Sequence, residues 1–213
     1  MVAGLRIAAG FELVVVRHGQ TGWNADGRFQ GQSDIPLDAT GHSQALALGA
    51  YLSNVAFAFA VSSDLSRATE TAQAILAGRD LELGRDPRWR EMQFGAWEGL
   101  TWKEIVARNP ELAERSANAP RFYTPQGGES FEGVCERVAD AVTSLAARAH
   151  EGSRILVVTH AGPLHALLRV LLGESEAAAL GVRFVPASVT RFALSPHRAR
   201  IVDLNRAVTD SVA

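Results

Sequence analysis

Two histidines in this sequence each follow a short apolar run and precede a small residue. His18 comes after the letters LVVV and Arg17, and it precedes a glycine. His160 comes after the letters ILVV and a threonine, and it precedes Ala161 and a glycine. A single histidine of this kind is more often a structural residue whose hydrogen bonds are satisfied. Two of them in the same context, one beside an arginine, indicate instead a site that binds a dianion.

The basic residues of the chain are almost all arginines. Among 21 lysines and arginines, Lys103 is the only lysine. Base composition alone can produce this bias, but a planar guanidinium group also binds two phosphate oxygens at once. We single out only Arg17 and Arg67 as candidates for the site, and we assign no special role to most of the other arginines.

Runs with β-sheet propensity alternate along the chain with helical stretches. This alternation is typical of an α/β domain with a mostly parallel central sheet, and we predict a three-layer α/β/α sandwich. The predicted strands are Phe11–Val16, Phe57–Val61, Leu81–Arg85, Arg154–Thr159, Val189–Leu194 and Arg200–Leu204. The predicted helices are Gly41–Asn54, Leu65–Leu76, one from Thr101 that ends before Pro110, one from Ser130 to about His150, and one that begins near Pro163.

The candidate residues occupy equivalent places in this pattern. Arg17 and His18 follow the first predicted strand, Ser62 and Ser63 follow the second, and His160 follows the fourth. Ligands of open α/β sheets bind at the carboxyl ends of the strands. If these three strands are neighbours, three separate segments bring polar groups to one edge of the sheet.

Five segments of the chain resemble, in the same order, the histidine phosphatase superfamily, which is the phosphoglycerate mutase-like family. They read LVVVRHGQTGWN (13–24), SSDLSRATETA (62–72), REMQFGAWEG (90–99), GGES (127–130) and VVTHAG (157–162). Any one of these segments is a weak signal, whereas five in order are a strong one. The resemblance covers residues 11–205 and implies that the protein is an enzyme of the phosphatase branch.

The resemblance implies a role for each of five residues. His18 resembles the nucleophile, which forms a covalent phosphohistidine, and a neutral imidazole is competent for that attack. Arg17 and Arg67 would hold the non-bridging phosphate oxygens, and their charges would also disfavour protonation of the nucleophile. His160 resembles the second phosphate-binding histidine. Glu91 resembles the general acid that protonates the leaving alcohol.

Four further positions complete the predicted site. Asn24 resembles a further donor to the phosphate, and the N–H of Ala161 would add another at a helix N-terminus. Gln30 and Gly31 lie in the loop over the expected site, where relatives that hydrolyse often have glutamine and mutases tend to have threonine. Gln30 therefore favours hydrolysis, and Gln30 is also a candidate contact for the phosphate. We expect neither a metal nor another cofactor, because the arginines and histidines already supply positive charge.

Two carboxylates compete for the role of general acid. Without the resemblance, Glu91 would be interpreted as a surface carboxylate that pairs with Arg88 or Arg90. Glu98 is the alternative acid, and we rank it second because the family's acid precedes the Phe-Gly step.

Three functions compete for this set of residues. A phosphatase that acts on small phosphorylated metabolites passes the phosphoryl group from His18 to water, whereas a cofactor-dependent phosphoglycerate mutase passes it to a second hydroxyl. Mutases of this family carry a longer basic insertion after the general acid, but the segment Ala96–Ile155 is short and has only scattered arginines. This favours the phosphatase. A catalytically inactive binding module is the third function, and the presence of the whole catalytic set argues against it.

The substrate stays open at this point, because variable loops over the site choose the leaving group. These loops are expected at Ala25–Asp38 and Asn109–Glu129. Their cationic and aromatic residues could meet a second phosphate, a carboxylate or a sugar: Arg28, Arg115, Arg121, Phe122 and Tyr123. Sugar phosphates, phosphoglycerates, phosphoserine and a nucleoside-like phosphate of cobalamin synthesis all fit.

The bulk composition limits the partners and the location. A chain of 213 residues with a formal net charge of -2 indicates one domain, and neither nucleic acid nor an anionic membrane is expected as a partner. The single cysteine, Cys135, cannot form an intrachain disulfide and favours a cytoplasmic location. We interpret residues 1–10 as a leader, 11–205 as a single domain and 206–213 as a tail. The oligomeric state stays open, with a homodimer among the alternatives.

Overall fold

The computed structural model describes residues 7–112 and 124–208. Its strands are β1 (Phe11–Arg17), β2 (Phe59–Ser62), β3 (Leu83–Arg85), β4 (Ser153–Thr159), β5 (Ser188–Ser195) and β6 (Arg198–Ala207). Its α-helices are α1 (Gly22–Ala25), α2 (Ala39–Tyr51), α3 (Ser66–Leu76), α4 (Trp102–Arg108), α5 (Phe131–Ala146), α6 (Ala161–Leu172) and α7 (Glu174–Ala179). Short 3₁₀ turns form at Pro87–Trp89 and Gly95–Trp97.

The strands of the described residues form one sheet in the order β3-β2-β4-β1-β5-β6. The pairs β3-β2, β2-β4 and β4-β1 are parallel, whereas β5 runs antiparallel to both β1 and β6. The predicted mostly parallel sheet is confirmed. The antiparallel pair lies at one edge, where a tight hairpin can join β5 to β6 without a crossover helix.

Alternate residues of β1 enter two separate cores. Leu13 and Val15 belong to the core that contains the buried faces of α5 and α6, whereas Val14 and Val16 belong to the core with those of α2 and α3. Because successive side chains of a strand point to opposite faces, a strand covered on both sides must be apolar throughout. Helices thus cover both faces of the sheet, and the predicted three-layer α/β/α sandwich is confirmed.

The strand register brings the predicted site residues to one edge. Arg17 pairs with Thr159 across β1 and β4, so His18 and His160 follow at adjacent positions. The N–H of His18 donates to the carbonyl oxygen of Thr159 over 2.9 Å. β2 pairs with β4 on its other side, and the N–H of Ser63 continues that ladder. The three strands are therefore neighbours, as the prediction required.

Local capping sets the helix boundaries near the site. Glu104 Oε2 accepts from the N–H of Thr101 over 2.7 Å, and Thr101 Oγ1 accepts from the N–H of Glu104 over 3.3 Å, so the predicted capping box is present. α6 begins at Ala161, two residues before Pro163, because His160 takes the N-cap position.

The described residues extend past both ends of the predicted 11–205 range. Ile7 is buried in the core that contains α5 and α6, and β6 continues to Ala207. Four of the residues predicted to meet the leaving group, Arg115, Arg121, Phe122 and Tyr123, lie outside the described residues. Within 7–112 and 124–208, no helix has the length and apolar character needed to cross a membrane.

Candidate active site

A cavity of about 250 Å³ lies at the carboxyl edge of the sheet, where residues that end or follow β1 and β4 line it. We call it the polar compartment. Seven of the nine predicted site residues line it, namely Arg17, His18, Asn24, Gln30, Arg67, Glu91 and Ala161. His160 and Gly31 are not among the residues that line this cavity. Sequence segments that lie far apart along the chain thus meet where the resemblance places a phosphate.

His18 is held in one tautomer. Its Nδ1 lies 2.6 Å from the carbonyl oxygen of Gly19, so Nδ1 carries the hydrogen and donates it. Nε2 therefore keeps its lone pair. Burial lowers the pKa of His18 well below its usual value, and the positive charges of Arg67 and Arg17 lower it further. The imidazole is neutral at pH 7, which leaves Nε2 able to act as a nucleophile.

His160 is held in the opposite tautomer. Arg67 Nε donates to its Nδ1 over 3.2 Å, so the hydrogen of the neutral ring sits on Nε2. That Nε2 is buried and has no hydrogen-bond partner among the described residues. The pKa of His160 lies well below its usual value, first because of burial and then because of the charge on Arg67. A buried donor without a partner, on a ring centred 5.0 Å from that of His18, is suited to a ligand oxygen.

Arg67 is a fully buried cation whose position is set by loop carbonyls. Its Nη1 donates to Ser33 and its Nη2 to Gly31, both over 2.8 Å. Burial lowers the pKa of Arg67 to about 10, so the guanidinium stays charged at pH 7. Gly31 has φ +54°, and a Cβ there would collide with the carboxylate of Glu98. We therefore assign Gly31 to positioning Arg67 instead of to direct contact with a substrate.

Arg17 is the second cation of the compartment. Its Nη1 donates to the carbonyl oxygen of Phe184 over 2.5 Å, which anchors the guanidinium to the segment before β5. Its Nε is buried and has no partner in the part of the chain that the structure describes. Burial lowers the pKa of Arg17, whereas the negative charge of Glu91 raises it. Arg17 therefore brings both charge and an unused donor to the site.

Glu91 does not pair with either neighbouring arginine. Arg88 Nη2 binds Asp86 over 2.7 Å, and Arg90 Nη2 binds Asp64 over 2.6 Å. Only 8% of Glu91 is exposed. The interpretation of Glu91 as a surface carboxylate is therefore wrong.

One oxygen of Glu91 is fixed and the other is available. Oε1 accepts from the N–H of Met92 over 2.8 Å and from the N–H of Gly162 over 2.9 Å. Among the described residues, no group donates a hydrogen bond to Oε2. A carboxyl group held in this way beside the polar compartment can deliver a proton from Oε2 without losing its position.

Two amides and a helix terminus supply further donors. Asn24 Oδ1 accepts from the N–H of Thr21 over 3.2 Å, and Gln30 Oε1 accepts from Thr21 Oγ1 over 3.0 Å. With both oxygens engaged, the amide nitrogens remain to donate to a ligand. Ala161 is the first residue of α6, and the N–H groups of a first turn have no acceptor within their helix.

The chain matches the sequence model of the histidine phosphatase superfamily (branch 1) over residues 13–207. The chain belongs to this superfamily. The family predicted from the five segments is confirmed.

Relatives and solved structures agree with this membership. A metal-independent phosphoserine phosphatase of Arabidopsis thaliana is 39% identical over 168 residues, which are 77% of this chain and 70% of the relative. A probable phosphoglycerate mutase, GpmB, of Salmonella choleraesuis is 32% identical over 180 residues, which are 84% of this chain and 83% of the relative. The structure of mycobacterial glucosyl-3-phosphoglycerate phosphatase with VO3 has a TM-score of 0.83 and 32% identity, and it covers 92% of this chain and 99% of that one. The predicted phosphoric monoester hydrolase is confirmed at the level of a histidine phosphatase, and the mutase alternative is less well supported.

Sequence reasoning missed the residues that position Glu91. Arg137 donates from Nη1 to the carbonyl of Arg88 over 2.7 Å and from Nη2 to the carbonyl of Glu91 over 3.2 Å. Glu129 holds the Arg137 guanidinium over 2.7 Å. The segment GGES was a signal for Glu129, but nothing local pointed to Arg137, because it acts across 46 residues of sequence.

Glu98, the alternative acid, has a structural role in this histidine phosphatase. Its carboxylate accepts from the backbone N–H groups of Gln32, Ser33 and Phe94 over 3.0–3.1 Å, and also from Ser33 Oγ. It does not line the polar compartment. Glu98 therefore joins the loop that holds Arg67 to the segment after Glu91.

A second cavity, of about 460 Å³, adjoins the polar compartment. We call it the apolar compartment. Phe29, Glu91, Phe94 and Ala161 line both cavities. The other described residues that line it are Met92, Trp97, Trp102, Phe131, Gly162, His165, Val182 and Arg183. Trp97 and Trp102 thus face open space beside the site.

Proposed function

We propose that this phosphatase hydrolyses small phosphate monoesters in two steps, through a phosphohistidine formed on Nε2 of His18. The observation that carries the proposal is the pair of opposite tautomers. The hydrogen bond to Gly19 leaves a lone pair on Nε2 of His18, and the hydrogen bond from Arg67 leaves a hydrogen on Nε2 of His160. A nucleophile and an uncharged donor for the phosphoryl oxygens therefore lie side by side.

In the first step, His18 Nε2 attacks phosphorus and the bond between phosphorus and the ester oxygen breaks. The electron pair of that bond goes to the alcohol oxygen, and a proton from Glu91 Oε2 neutralises it. Arg17, Arg67 and His160 donate to the three non-bridging oxygens, where negative charge is spread in the transition state. The products are the free alcohol, the phosphohistidine and an ionised Glu91.

In the second step, water attacks the phosphorus of the phosphohistidine. Ionised Glu91 accepts a proton from that water, and the bond between phosphorus and Nε2 breaks with its electron pair returning to the imidazole. Inorganic phosphate leaves, and His18 is again neutral. The depressed pKa of His18 supports this step, because the ring leaves as neutral imidazole with the lone pair restored.

The cations around the site favour water over a second hydroxyl as acceptor. A mutase must hold the carboxylate of a phosphoglycerate as well as its phosphate. Arg28 lines the polar compartment, but its Nη1 donates to the carbonyl of Gly99 over 2.7 Å and to Glu104 over 3.2 Å. Among the described residues that line the apolar compartment, Arg183 is the one cation. Within the described part of the chain, this set is sparse for a carboxylate subsite, which supports hydrolysis.

We further propose that the reaction needs no metal ion and takes place in the cytoplasm. Arg17 and Arg67 already neutralise the charge that a metal ion would otherwise offset. The Arabidopsis relative is itself named a metal-independent phosphatase. The proposed location rests on Cys135 being the only cysteine. We expect phosphate release to persist in EDTA, and loss of activity that magnesium restores would contradict the metal-free mechanism.

The test measures inorganic phosphate released from a panel of esters by wild type, His18→Ala and His42→Ala. His42 is a solvent-exposed histidine of α2 and serves as the matched control. Loss of a covalent nucleophile lowers kcat on the order of 10⁴-fold or more, so His18→Ala is expected to release almost no phosphate, whereas His42→Ala keeps wild-type rates. Wild type quenched in alkaline detergent, in which a bond between phosphorus and nitrogen survives, should carry one phosphoryl group on the peptide that contains His18. A labelled peptide elsewhere, or an active His18→Ala, would refute the mechanism.

A further inference from the structure

Glu91 marks where the leaving group of a bound ester must lie. The polar compartment holds the nucleophile and the donors for the phosphoryl oxygens, and Glu91 lines both this compartment and the apolar one. Because Glu91 must reach the ester oxygen, that oxygen lies at the boundary between the two. The alcohol part of the ester therefore extends into the apolar compartment.

The walls of the apolar compartment are mostly aromatic. Phe29 meets Phe94 edge-on at a centroid distance of 5.1 Å, and it meets Trp97 at 5.9 Å. Trp97 in turn meets Trp102 edge-on at 6.1 Å. Phe131 lines the compartment from α5. Rings packed edge to face in this way present apolar faces that a further ring can stack on.

Few polar groups in the described lining could hold a polar alcohol. The N–H of Gly162 is already taken by Glu91 Oε1, and the ring of His165 packs edge-on against Phe184 at 4.9 Å. Arg183 is the remaining charged lining residue and is exposed. An alcohol such as serine or glycerate carries charges that would lose their hydration in this compartment without regaining enough partners from these described residues.

We propose that the substrate is a phosphate monoester of a bulky apolar alcohol that carries an aromatic ring system, and that this ring occupies the apolar compartment. The proposal rests on the proposed function, since it names the substrate class of the same site. The volume of about 460 Å³ is within the range of cavities that bind ring-containing ligands. Of the classes that the sequence had left open, sugar phosphates, phosphoglycerates and phosphoserine lack such a ring, whereas the nucleoside-like phosphate carries one.

The first experiment compares kcat/KM for naphthylethyl phosphate with those for glycerol phosphate, O-phosphoserine and phosphoglycerate. Naphthylethyl phosphate and glycerol phosphate are both esters of primary alcohols, so neither has an activated leaving group. We expect kcat/KM to be about 10- to 100-fold higher for naphthylethyl phosphate, the factor that burial of one aromatic group supplies. Equal values, or a preference for O-phosphoserine or phosphoglycerate, would overturn the substrate class and leave the phosphatase standing.

The second experiment fills the compartment. Val182 lines it, whereas Val185 on the same segment is 37% exposed and does not. Val182→Trp should lower the ratio of kcat/KM for naphthylethyl phosphate over glycerol phosphate about ten-fold, and Val185→Trp should leave the ratio unchanged. Equal ratios in all three proteins would overturn the proposal.

Binding separates failure of the substrate class from failure of the phosphatase. Isothermal titration of His18→Ala with naphthylethyl phosphate and with glycerol phosphate measures the compartment's preference without turnover. If wild type released no phosphate from any ester, the proposed function would fail. The proposal that the apolar compartment binds a ring would then still be supported if naphthylethyl phosphate had a lower Kd than glycerol phosphate and Val182→Trp abolished this difference. Equal Kd values for the two esters would refute it.

Discussion

Arg67 Nε donates a hydrogen bond to His160 Nδ1 over 3.2 Å. Because of this bond, the hydrogen of the neutral His160 ring is on Nε2, where it can be donated to a ligand. The same guanidinium is held by two backbone carbonyls of the loop at 31–33. The Arg67 side chain therefore supplies a positive charge, sets the tautomer of His160 and contacts the loop at 31–33. It is buried where α3, α6 and this loop meet.

Arg67→Lys should lower kcat about 10²- to 10³-fold, the usual cost of losing one preorganised oxyanion donor. Lysine keeps the charge but cannot reach His160 and two carbonyls at once. Arg79→Lys is the matched control, because Arg79 also donates to backbone carbonyls, those of Leu52, Val55 and Ile75, away from the site. We expect Arg79→Lys to lower Tm but not kcat. Equal losses of kcat in both variants would show that the Arg67 effect is one of general stability.

Stability should fall as the pH drops below 6.5. The pKa values of His18 and His160 are depressed in the folded protein from the usual 6.5, so the unfolded chain binds protons that the folded chain excludes. Each histidine then lowers the free energy of unfolding by up to about 1.4 kcal/mol per pH unit, from pH 6.5 down to its folded pKa. Urea unfolding between pH 5 and 7 measures this slope.

His18→Asn should make the slope of the free energy of unfolding against pH shallower by the contribution of one histidine. Only His160 then remains as a buried histidine that excludes a proton in the folded protein. His197→Asn makes the same chemical change in the exposed turn between β5 and β6. If the two variants changed the slope alike, the buried histidine would not be the source of the pH dependence.

Glu91→Gln should slow hydrolysis in proportion to how poor the leaving group is. Alkyl phosphates need a proton on the departing oxygen and should lose about 10²- to 10⁴-fold in kcat, whereas p-nitrophenyl phosphate, whose leaving group is stable as an anion, should lose much less. Glu98→Gln should weaken the loop that it holds and reduce both rates by the same factor. If instead the loss of kcat in Glu98→Gln depended on the leaving group, Glu98 would be the general acid and Glu91 the structural residue.

Gly162→Ala should impair catalysis through Glu91. A Cβ at this position would collide with Oε1 of Glu91, and the N–H that fixes this oxygen would be displaced with it. We expect kcat to fall about 10²-fold, as for a misplaced catalytic group, with a smaller change in KM. Gly133→Ala is the control, since a Cβ there meets its nearest atom, Ser130 Oγ, at an ordinary 3.4 Å. Unchanged kcat in Gly162→Ala would mean that Glu91 does not need this anchor.

The sequence by itself determined the fold class, the family and most of the polar compartment. Buried strands must be apolar throughout, and the residues at their carboxyl ends are free of that constraint, so His18 and His160 stood out against their runs. Helix capping is equally local, which is why the box formed by Thr101 and Glu104 could be predicted. The chemistry of the site could be inferred because packing of the core does not require histidine or arginine at the ends of the strands.

Only the tertiary structure decided which contacts each polar residue makes, and so which role it can have. Glu91 and Glu98 lie in one short segment, yet one lines the polar compartment while the other binds the loop of Gln32 and Ser33. Gly31 acts through its carbonyl on Arg67, a contact across 36 residues of sequence. The aromatic walls of the apolar compartment likewise come from separate segments. These assignments depend on hydrogen bonds and contacts between distant parts of the chain, and no local pattern of residues determines which of these parts meet.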